Sequence, residues 1–393
     1  MTKTMDAECL VIGCGFAGGI IARELAERGG RRVLLLEKRD HIGGNAYDCI
    51  DQAGVLIHRY GPHIFHSNSR RVYEYLSRFT AWRPYEHKVV CSVYGKYLPV
   101  PFNLNSLDLA FEAEKASRIE GKLTETYGRE RKVPILELRR SADPELTELA
   151  DYVYRNVFLY YTQKQWGTTP EETDPEVTAR VPIFISRDDR YFQDRYQGIP
   201  AEGYTALFER LLDHPNIELR LKTDALDLLR IDGGRIFFDG KPFSGTVVYT
   251  GPADELLGCR FGRLPYRTLD FQFETYPETW FQTYGTVNYT VDEAYTRITE
   301  FKYLTGQKLN ERTTIVKEFS RAYTGAPGET PYYAVNNPDS ASQYEKYSSE
   351  ASGLPDFYLL GRLAEYKYYN MDAIAEKALL LGDRLIAQGG IRK

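Results

Sequence analysis

The sequence predicts an α/β protein: a discontinuous Rossmann-like dinucleotide-binding domain carrying an inserted α-helical domain and an antiparallel β-sheet domain. Three observations carry this expectation. A strand, a glycine-rich turn, a helix and a second strand ending in an acid open the chain. A late strand and helix return at its far end. Between them, a largely helical stretch gives way to one dominated by aromatic and β-branched residues.

Glu8 to Ile12 (ECLVI) reads as a short buried parallel strand. Gly13-Cys14-Gly15-Phe16-Ala17-Gly18 follows at once and opens an amphipathic helix through about Arg28, with Ile21 and Leu25 marking its turns. This is G-x-G-x-x-G in strand-turn-helix context. Gly13 permits the tight turn, Gly15 lets a pyrophosphate approach the backbone, and Gly18 lets helix close on strand. The helix N-terminus offers free N–H groups and a positive dipole end to phosphates. Arg32 to Leu36 is a second strand ending in Glu37, placed to accept ribose hydroxyls.

Farther on, Gly54 to Tyr60 tends to a strand, and Gly61-Pro62-His63-Ile64-Phe65-His66 to a loop. Ser69 caps a helix with Val72, Tyr75, Leu76 and Phe79 on one face. Lys88 to Pro101 reads as a hairpin turning at Gly95-Lys96. From Asn105 to about Thr162 the pattern is helical, its best-defined member running from Pro144 to Gln163 behind an Asp143 cap. Gly167 to Arg180 is polar, contains Pro170 and Pro175 and lacks apolar periodicity, as a mobile lid loop would. Strands follow at Ile217 to Leu221, Leu226 to Ile231, Arg235 to Phe238 and Thr246 to Tyr249, and an antiparallel sheet from Tyr266 to Tyr333. Phe357 to Leu360 is a last strand, and Met371 to about Gln388 a helix. The dinucleotide domain so delimited comprises residues 1–84, 201–255 and 352–393. The helical domain is 103–190, and the sheet domain 85–102, 191–200 and 256–351.

Composition excludes several classes. The 393 residues carry 50 Lys plus Arg against 55 Asp plus Glu, a formal charge of -5, which argues against coating nucleic acid. No apolar run approaches the roughly 20 residues of a membrane span, and the N-terminus does not read as a signal peptide. Five cysteines without a C-x-x-C pair point away from disulfides and structural zinc, so no metal is expected and a reducing cytoplasm fits. The 31 tyrosines suggest a large polar cleft lined by hydroxyl-bearing rings.

The Gly43-Gly44-Asn45 that follows Glu37 and Lys38 resembles the extended fingerprint of FAD proteins of the glutathione-reductase type. The late strand, Gly361-Arg362 and the Met371 helix match the return segment that cradles the flavin in such proteins. No second G-x-G-x-x-G exists for a tightly held nicotinamide, so FAD is the expected cofactor.

A longer ordered set of segments resembles UDP-galactopyranose mutases of the bacterial type. These are Tyr60 to His66; Lys164-Gln165-Trp166-Gly167; Arg187 to Phe192; Tyr295-Thr296-Arg297; Lys317-Glu318-Phe319; Pro331-Tyr332-Tyr333; and Gly361-Arg362 through Met371-Asp372. The resemblance implies interconversion of UDP-galactopyranose and UDP-galactofuranose without net redox. Reduced FAD acts there through a covalent bond between flavin N5 and the anomeric carbon. It further implies a diffusible NADH or NADPH as reductant, a homodimer and a role in cell-wall polysaccharide synthesis.

Carried over position by position, Arg180 and Arg297 match the arginines that clamp the diphosphate, a task suited to guanidinium forks. Trp166 matches the uracil platform. Tyr161, Thr162 and Asn288 match uridine contacts, Tyr191 and Phe192 the aromatic wall, and Tyr332 and Tyr368 hydroxyls that reach the diphosphate. His63 and Arg362 match groups beside the flavin. Gly13, Gly15, Phe16, Ala17, Gly18, Glu37, Lys38, Gly44, Asn45, His63, Ile64, Arg362, Asn370, Met371 and Asp372 are the expected cofactor contacts. Asn370 stands where the family usually has aspartate, and Arg59 is placed to bear on the sugar C2 substituent. Three other readings stay open: a mutase for another nucleotide sugar such as UDP-N-acetylgalactosamine, an FAD oxidoreductase, and a non-catalytic nucleotide-sugar binder.

Overall fold

The computed structural model describes residues 7–171 and 182–391. Five parallel strands form its first sheet, in the order Ile217–Arg220, Val33–Leu36, Cys9–Ile12, Thr246–Tyr249, Phe357–Leu359. Cys9–Ile12 therefore has its sequence neighbour on one side and a strand more than two hundred residues later on the other. Such a switch point leaves a crevice at the strand's carboxyl end. Both faces of the sheet are covered, which is why strands such as CLVI and VLLL are apolar throughout and wholly buried.

The helix Phe16–Glu27 packs on one face beside the C-terminal helix Met371–Ile391, with Ile20, Ile21, Ala22 and Leu25 fully buried. Each of the larger three contributes about 1.5–3 kcal/mol of apolar burial. Ser69 caps the helix Arg70–Leu76 as expected, accepting from Val72 N–H.

The largest sheet has seven strands: Tyr333–Ala334, Tyr266–Tyr276, Thr313–Ala322, Arg297–Glu300, Thr286–Tyr289, Val89–Val93, Lys96–Val100. It departs from the expected antiparallel pattern at one pairing, since Thr286–Tyr289 runs parallel to Val89–Val93. The hairpin from residue 89 adds the last two strands at one end of the sheet from a distant part of the chain, so its direction is not fixed by a tight connection. That hairpin turns at Tyr94 and Gly95, both with positive φ, one residue before the expected Gly95-Lys96. Two consecutive left-handed residues match the twist of the flanking strands.

The hairpin strands share an apolar core with the helical segments through Val89, Leu98, Leu104, Ile119, Leu149 and Phe158. The helix expected over Pro144 to Gln163 continues to Trp166, with a π-helical stretch at Tyr154–Leu159. Asp143 caps it, accepting from Glu145 and Leu146 N–H. The strand expected from Leu226 begins at Leu229, because Asp224 caps a short 3-10 turn over Ala225–Asp227. Apolar periodicity gave no sign of the helix Pro338–Ser352, which opens with an Asn337 capping box. Among the described residues, no helix is long and apolar enough to cross a membrane.

Candidate active site

A long cleft opens at the switch point. Its floor is the glycine turn: Gly13 has φ +95°, and a Cβ there would lie 2.1 Å from Thr250 Oγ1. A Cβ on Gly44 would lie 2.9 Å from Gly15 Cα, so the two glycine loops meet backbone to backbone. Gly13, Gly15, Phe16, Ala17, Gly44 and Asn45 all line this floor. Phe16 also packs edge-on against Phe208, with centroids 5.0 Å apart, which anchors the start of the helix.

Glu37 and Lys38 line one end, with Thr223 to Leu226 opposite. Glu37 is buried and already accepts from Cys14 N–H (2.9 Å) and Arg39 N–H (3.0 Å), so its carboxylate is held in place with acceptor capacity left. At the other end stand His63, Tyr332, Arg362 and Met371. Gly18, Ile64, Asn370 and Asp372 are not on the walls. Gly18 lies beneath the turn, where a Cβ would fall 1.8 Å from Gly13 O, and Ile64 packs with Ile199 and Leu304. Asp372 accepts from Ser67 Oγ at 2.9 Å and so ties the last helix to another segment. Asn370 is half-buried, and its carbonyl accepts the Ile374 N–H at the helix start.

Sequence reasoning overlooked Arg39. Its guanidinium lies over the Tyr60 ring (4.3 Å), donates to Asn45 Oδ1 (2.9 Å) and lines the cleft, while Nη1 is buried with no hydrogen-bond partner. A buried guanidinium nitrogen with an unmet donor suits an anionic group in the cleft. Together with bare glycine backbone at a helix N-terminus and a fixed carboxylate, the donor set fits FAD: diphosphate at the turn, ribose at Glu37, flavin toward His63 and Arg362.

His63 is held as a neutral imidazole, its pKa pushed down to about 4 by burial, with the charge of Arg362 acting in the same direction. Nδ1–H donates to Gly61 O (2.8 Å), leaving a lone pair on Nε2. His63 N–H in turn donates to Nδ1 of the fully buried His58 (2.9 Å).

Beyond Arg362, aromatic rings lead into a second group of residues. The Arg362 guanidinium lies 4.6 Å from the Tyr368 ring and 5.6 Å from Tyr333, donates to Tyr369 O, and leaves those two rings stacked at 5.9 Å. Tyr333 also meets Trp166, with centroids 5.5 Å apart. Burial raises the Tyr333 pKa, and the charges of Arg362 and Arg297 both pull it down.

Register explains what surrounds Arg297. Asn288 pairs with Arg297, and Arg297 with Glu318, across three neighbouring strands. Residues directly opposite in a ladder share a face, so these three side chains form one row. Asn288 and Glu318 are buried. Arg297 Nη2 donates to Tyr161 OH at 2.5 Å, and Arg297 Nε stands 3.7 Å from Glu318 Oε2. Asn288 Oδ1, Arg297 Nε and Glu318 Oε1 are all buried without a hydrogen-bond partner. Burial pushes the Glu318 carboxyl up, and the Arg297 charge opposes it.

Tyr191 and Phe192 pack on two histidines. The Phe192 ring stacks on His66 at 3.5 Å, Tyr191 meets His87 at 5.7 Å, and His66 Nδ1 pairs with Asp194 Oδ2 at 2.9 Å. Thr162 faces inward from the Tyr160–Trp166 helix and is buried. Arg180, and most of the loop expected over 167–180, lie outside the described residues. Glu318 and Tyr333 had no role in the sequence reading, although both sit inside motifs it quoted. Only the strand register reveals what they face.

Comparison with known proteins agrees with this geometry. The profile of the family described as UDP-galactopyranose mutase matches residues 156–368, and that of an NAD(P)-binding Rossmann-like domain matches 11–79. A probable UDP-galactopyranose mutase of Klebsiella pneumoniae is 35% identical over 380 residues, covering 96% of this chain and 94% of the relative. The UDP-galactopyranose mutase of Mycoplasma pneumoniae is 33% identical over 383 residues, covering 96% of each. A dTDP-fucopyranose mutase of Escherichia coli is 33% identical over 374 residues, covering 94% and 96%. Among solved structures, a reduced UDP-galactopyranose mutase superposes with a TM-score of 0.72 at 16% identity, covering 98% of this chain and 94% of its own. FAD is accordingly the cofactor of the switch-point cleft. With curated relatives matching nearly end to end and the family profile spanning more than half its length, the chain is a flavoenzyme belonging to the UDP-galactopyranose mutase family.

Proposed function

We propose that this enzyme interconverts UDP-galactopyranose and UDP-galactofuranose without net redox. The observation that carries this reading is Arg297, a half-buried guanidinium whose Nε has no hydrogen-bond partner and only a 3.7 Å ion pair with Glu318. The Arg297 charge and that of Arg362, which lies 5.6 Å from the Tyr333 ring at the flavin end of the cleft, both act on the Tyr333 hydroxyl. A diphosphate leaving group gains stability as its growing charge meets fixed cations in a site of low dielectric. Arg297, together with Arg180, neutralises the departing UDP. Asn288, Tyr161 and Trp166 orient the uridine, with Trp166 offering its indole face to uracil.

Gly13, Gly15, Glu37, Arg39, Gly44 and Asn45 would hold FAD, which in its reduced form would supply a nucleophilic N5 for the anomeric carbon. His63 presents a neutral Nε2 lone pair at that end of the cleft, and Arg362 favours an anionic reduced flavin. The stacked rings of Tyr333 and Tyr368 exclude water between the two arginines. The flavin is reduced by diffusible NADH or NADPH, and the enzyme works as a cytoplasmic homodimer in cell-wall polysaccharide synthesis.

The sugar is the point at which a second reading enters, because the E. coli dTDP-fucopyranose mutase matches about as well as the UDP-sugar relatives. The purified flavoprotein is incubated with UDP-galactofuranose or dTDP-fucofuranose, with and without dithionite, and products are separated by HPLC. Conversion of UDP-galactofuranose only after reduction is expected. Preferential conversion of the dTDP sugar would reassign the substrate, and conversion of neither would remove the UDP-galactose assignment and move the search to other nucleotide sugars.

A further inference from the structure

The short helix Tyr160–Trp166 and the turn leading into Arg297 are joined by a half-buried ammonium group. Lys164 Nζ donates to three backbone carbonyls of that turn: Tyr289 (2.6 Å), Glu293 (2.8 Å) and Tyr295 (3.2 Å). Three bonds exhaust the donors of a lysine. Tyr289 is the last residue of the strand Thr286–Tyr289, just after Asn288, and the other two acceptors lie between that strand and Arg297–Glu300. Burial lowers the Lys164 pKa, and the nearby Glu293 and Asp292 charges oppose that shift.

The base of the same turn is closed by backbone bonds, Tyr289 N–H to Thr296 O (2.9 Å) and Thr296 N–H to Glu318 O (2.8 Å), and short side chains add to them. Thr290 Oγ1 donates to Asn156 O at 2.6 Å, and Thr296 Oγ1 to Glu318 O at 3.1 Å.

The helix end bearing Trp166 is held separately. Arg267 Nε donates to Gln165 O (3.0 Å), Arg267 Nη2 to Lys164 O (3.0 Å), and Ser320 Oγ to Gln165 O (2.7 Å). These bonds satisfy carbonyls that a helix C-terminus leaves unpaired, and they place a cation at the negative end of its dipole. Trp166 is thus fixed to the sheet without help from Lys164, whereas the carbonyls on the Arg297 side depend on Lys164 for their donor.

The geometry points to Lys164 as a positioning residue that sets the spacing between the nucleobase platform at Trp166 and the diphosphate cation Arg297. This inference rests on the nucleotide-sugar reading given above. Its consequence is selective. Without the ammonium, the base platform keeps its Arg267 and Ser320 anchors, while Arg297 loses its register against the second phosphate. Lys164 therefore contributes to binding a nucleoside diphosphate and hardly at all to binding a monophosphate.

The test compares UMP and UDP affinity in the oxidised holoprotein and in Lys164→Met, which keeps the alkyl stem and loses the charge. Wild type binds UDP more tightly than UMP. In Lys164→Met, UMP affinity is expected to hold while UDP affinity drops by about tenfold or more, the scale of a lost charge-assisted hydrogen bond. In an Arg297→Ala background the same change has no further effect on UDP, because the group it positions is gone. A merely structural lysine would weaken both nucleotides equally, or act equally in both backgrounds, and either result overturns the inference. If Lys164→Met loses its flavin, Lys164→Arg replaces it. That variant keeps the charge and moves the donors, so the same selective loss of UDP binding is expected, and an unaltered UDP to UMP ratio would overturn the assignment. Failure of wild type to bind UDP at all would remove the nucleotide-sugar reading itself, a result distinct from a wild type that binds and a variant that does not discriminate.

Discussion

In the dinucleotide cleft, Gly13, Gly15, Glu37 and Gly44 come from one stretch of chain, and backbone supplies much of the surface. In the Arg297 region, Asn288, Arg297 and Glu318 come from three strands, and side chains supply the chemistry. The difference teaches where each region is fragile. A backbone-built site fails when a Cβ is added, because nothing can rotate out of the way. A side-chain-built site tolerates changes that leave the ladder register intact, and fails when one charge of a buried set is removed.

The largest effect expected is in the backbone-built half. Gly18→Ala places a methyl 1.8 Å from Gly13 O, a clash with backbone that no rotamer change relieves. The variant is expected to purify without flavin or to aggregate, as read by flavin absorbance per mole of protein. Full flavin occupancy would show that the turn yields, and would erase the contrast between the two regions.

Acid should act next most strongly, and on both regions at once. Burial pushes His58 and His63 down to about 4 and His87 to about 3, from an ordinary 6.5. Below 6.5 the unfolded chain takes up protons that the folded one refuses until near 4, so stability falls as pH drops through that window. Three neutral histidines set a limit of about 4 kcal/mol per pH unit. The raised carboxyls of Asp48, Asp254 and Glu318 work in the opposite sense and reduce it. Urea midpoints at pH 7 and pH 5.5 measure the slope. His87→Phe, on the substrate side, should flatten it by up to about 1.4 kcal/mol per pH unit. An unchanged slope would mean that only the flavin-side pair, His58 and His63, resists protonation.

How much of this was legible in the sequence follows from the same contrast. The floor of the cleft could be read because its residues fall in one stretch and each has one physical reason to be there: positive φ at Gly13, no room at Gly18, a carboxylate at the end of the second strand. The Arg297 row could be read only as separate motifs. Which residues oppose each other depends on register between distant strands, and one of those pairings is parallel where the aromatic, β-branched pattern suggested antiparallel. Arg39 was passed over because a charged residue after the ribose acid looks like surface until Tyr60 is seen beneath it. The helix Pro338–Ser352 buries little beyond Ser340, Tyr347 and Ala351, so its apolar signal was faint, although Asn337 and Pro338 are cap signals. The Asn288, Arg297 and Tyr161 assignments came from family resemblance, and the register adds a reason for two of them to be neighbours.

The smallest effects separate the members of the side-chain set. Arg297→Ala removes the only cation of the row and leaves Glu318 buried without its partner, its Oε1 already lacking a hydrogen bond. Loss of a preorganised charge of this kind costs about 3–4 kcal/mol in the transition state, or about 10²–10³ in kcat/KM. FAD content should not change, because Arg297 does not line the dinucleotide cleft. Tyr161→Phe removes only the hydroxyl that accepts from Arg297 Nη2, and Glu318 still holds the guanidinium on its other side. A single hydrogen bond to a charged group is worth about 1.5–3 kcal/mol at most, and the freed Nη2 can turn to a phosphate oxygen instead. Tyr161→Phe should therefore lower kcat/KM by about tenfold or less, with the acid slope and flavin content of wild type. A loss as large as that of Arg297→Ala would mean that the tyrosine, rather than the strand register, decides where the guanidinium points.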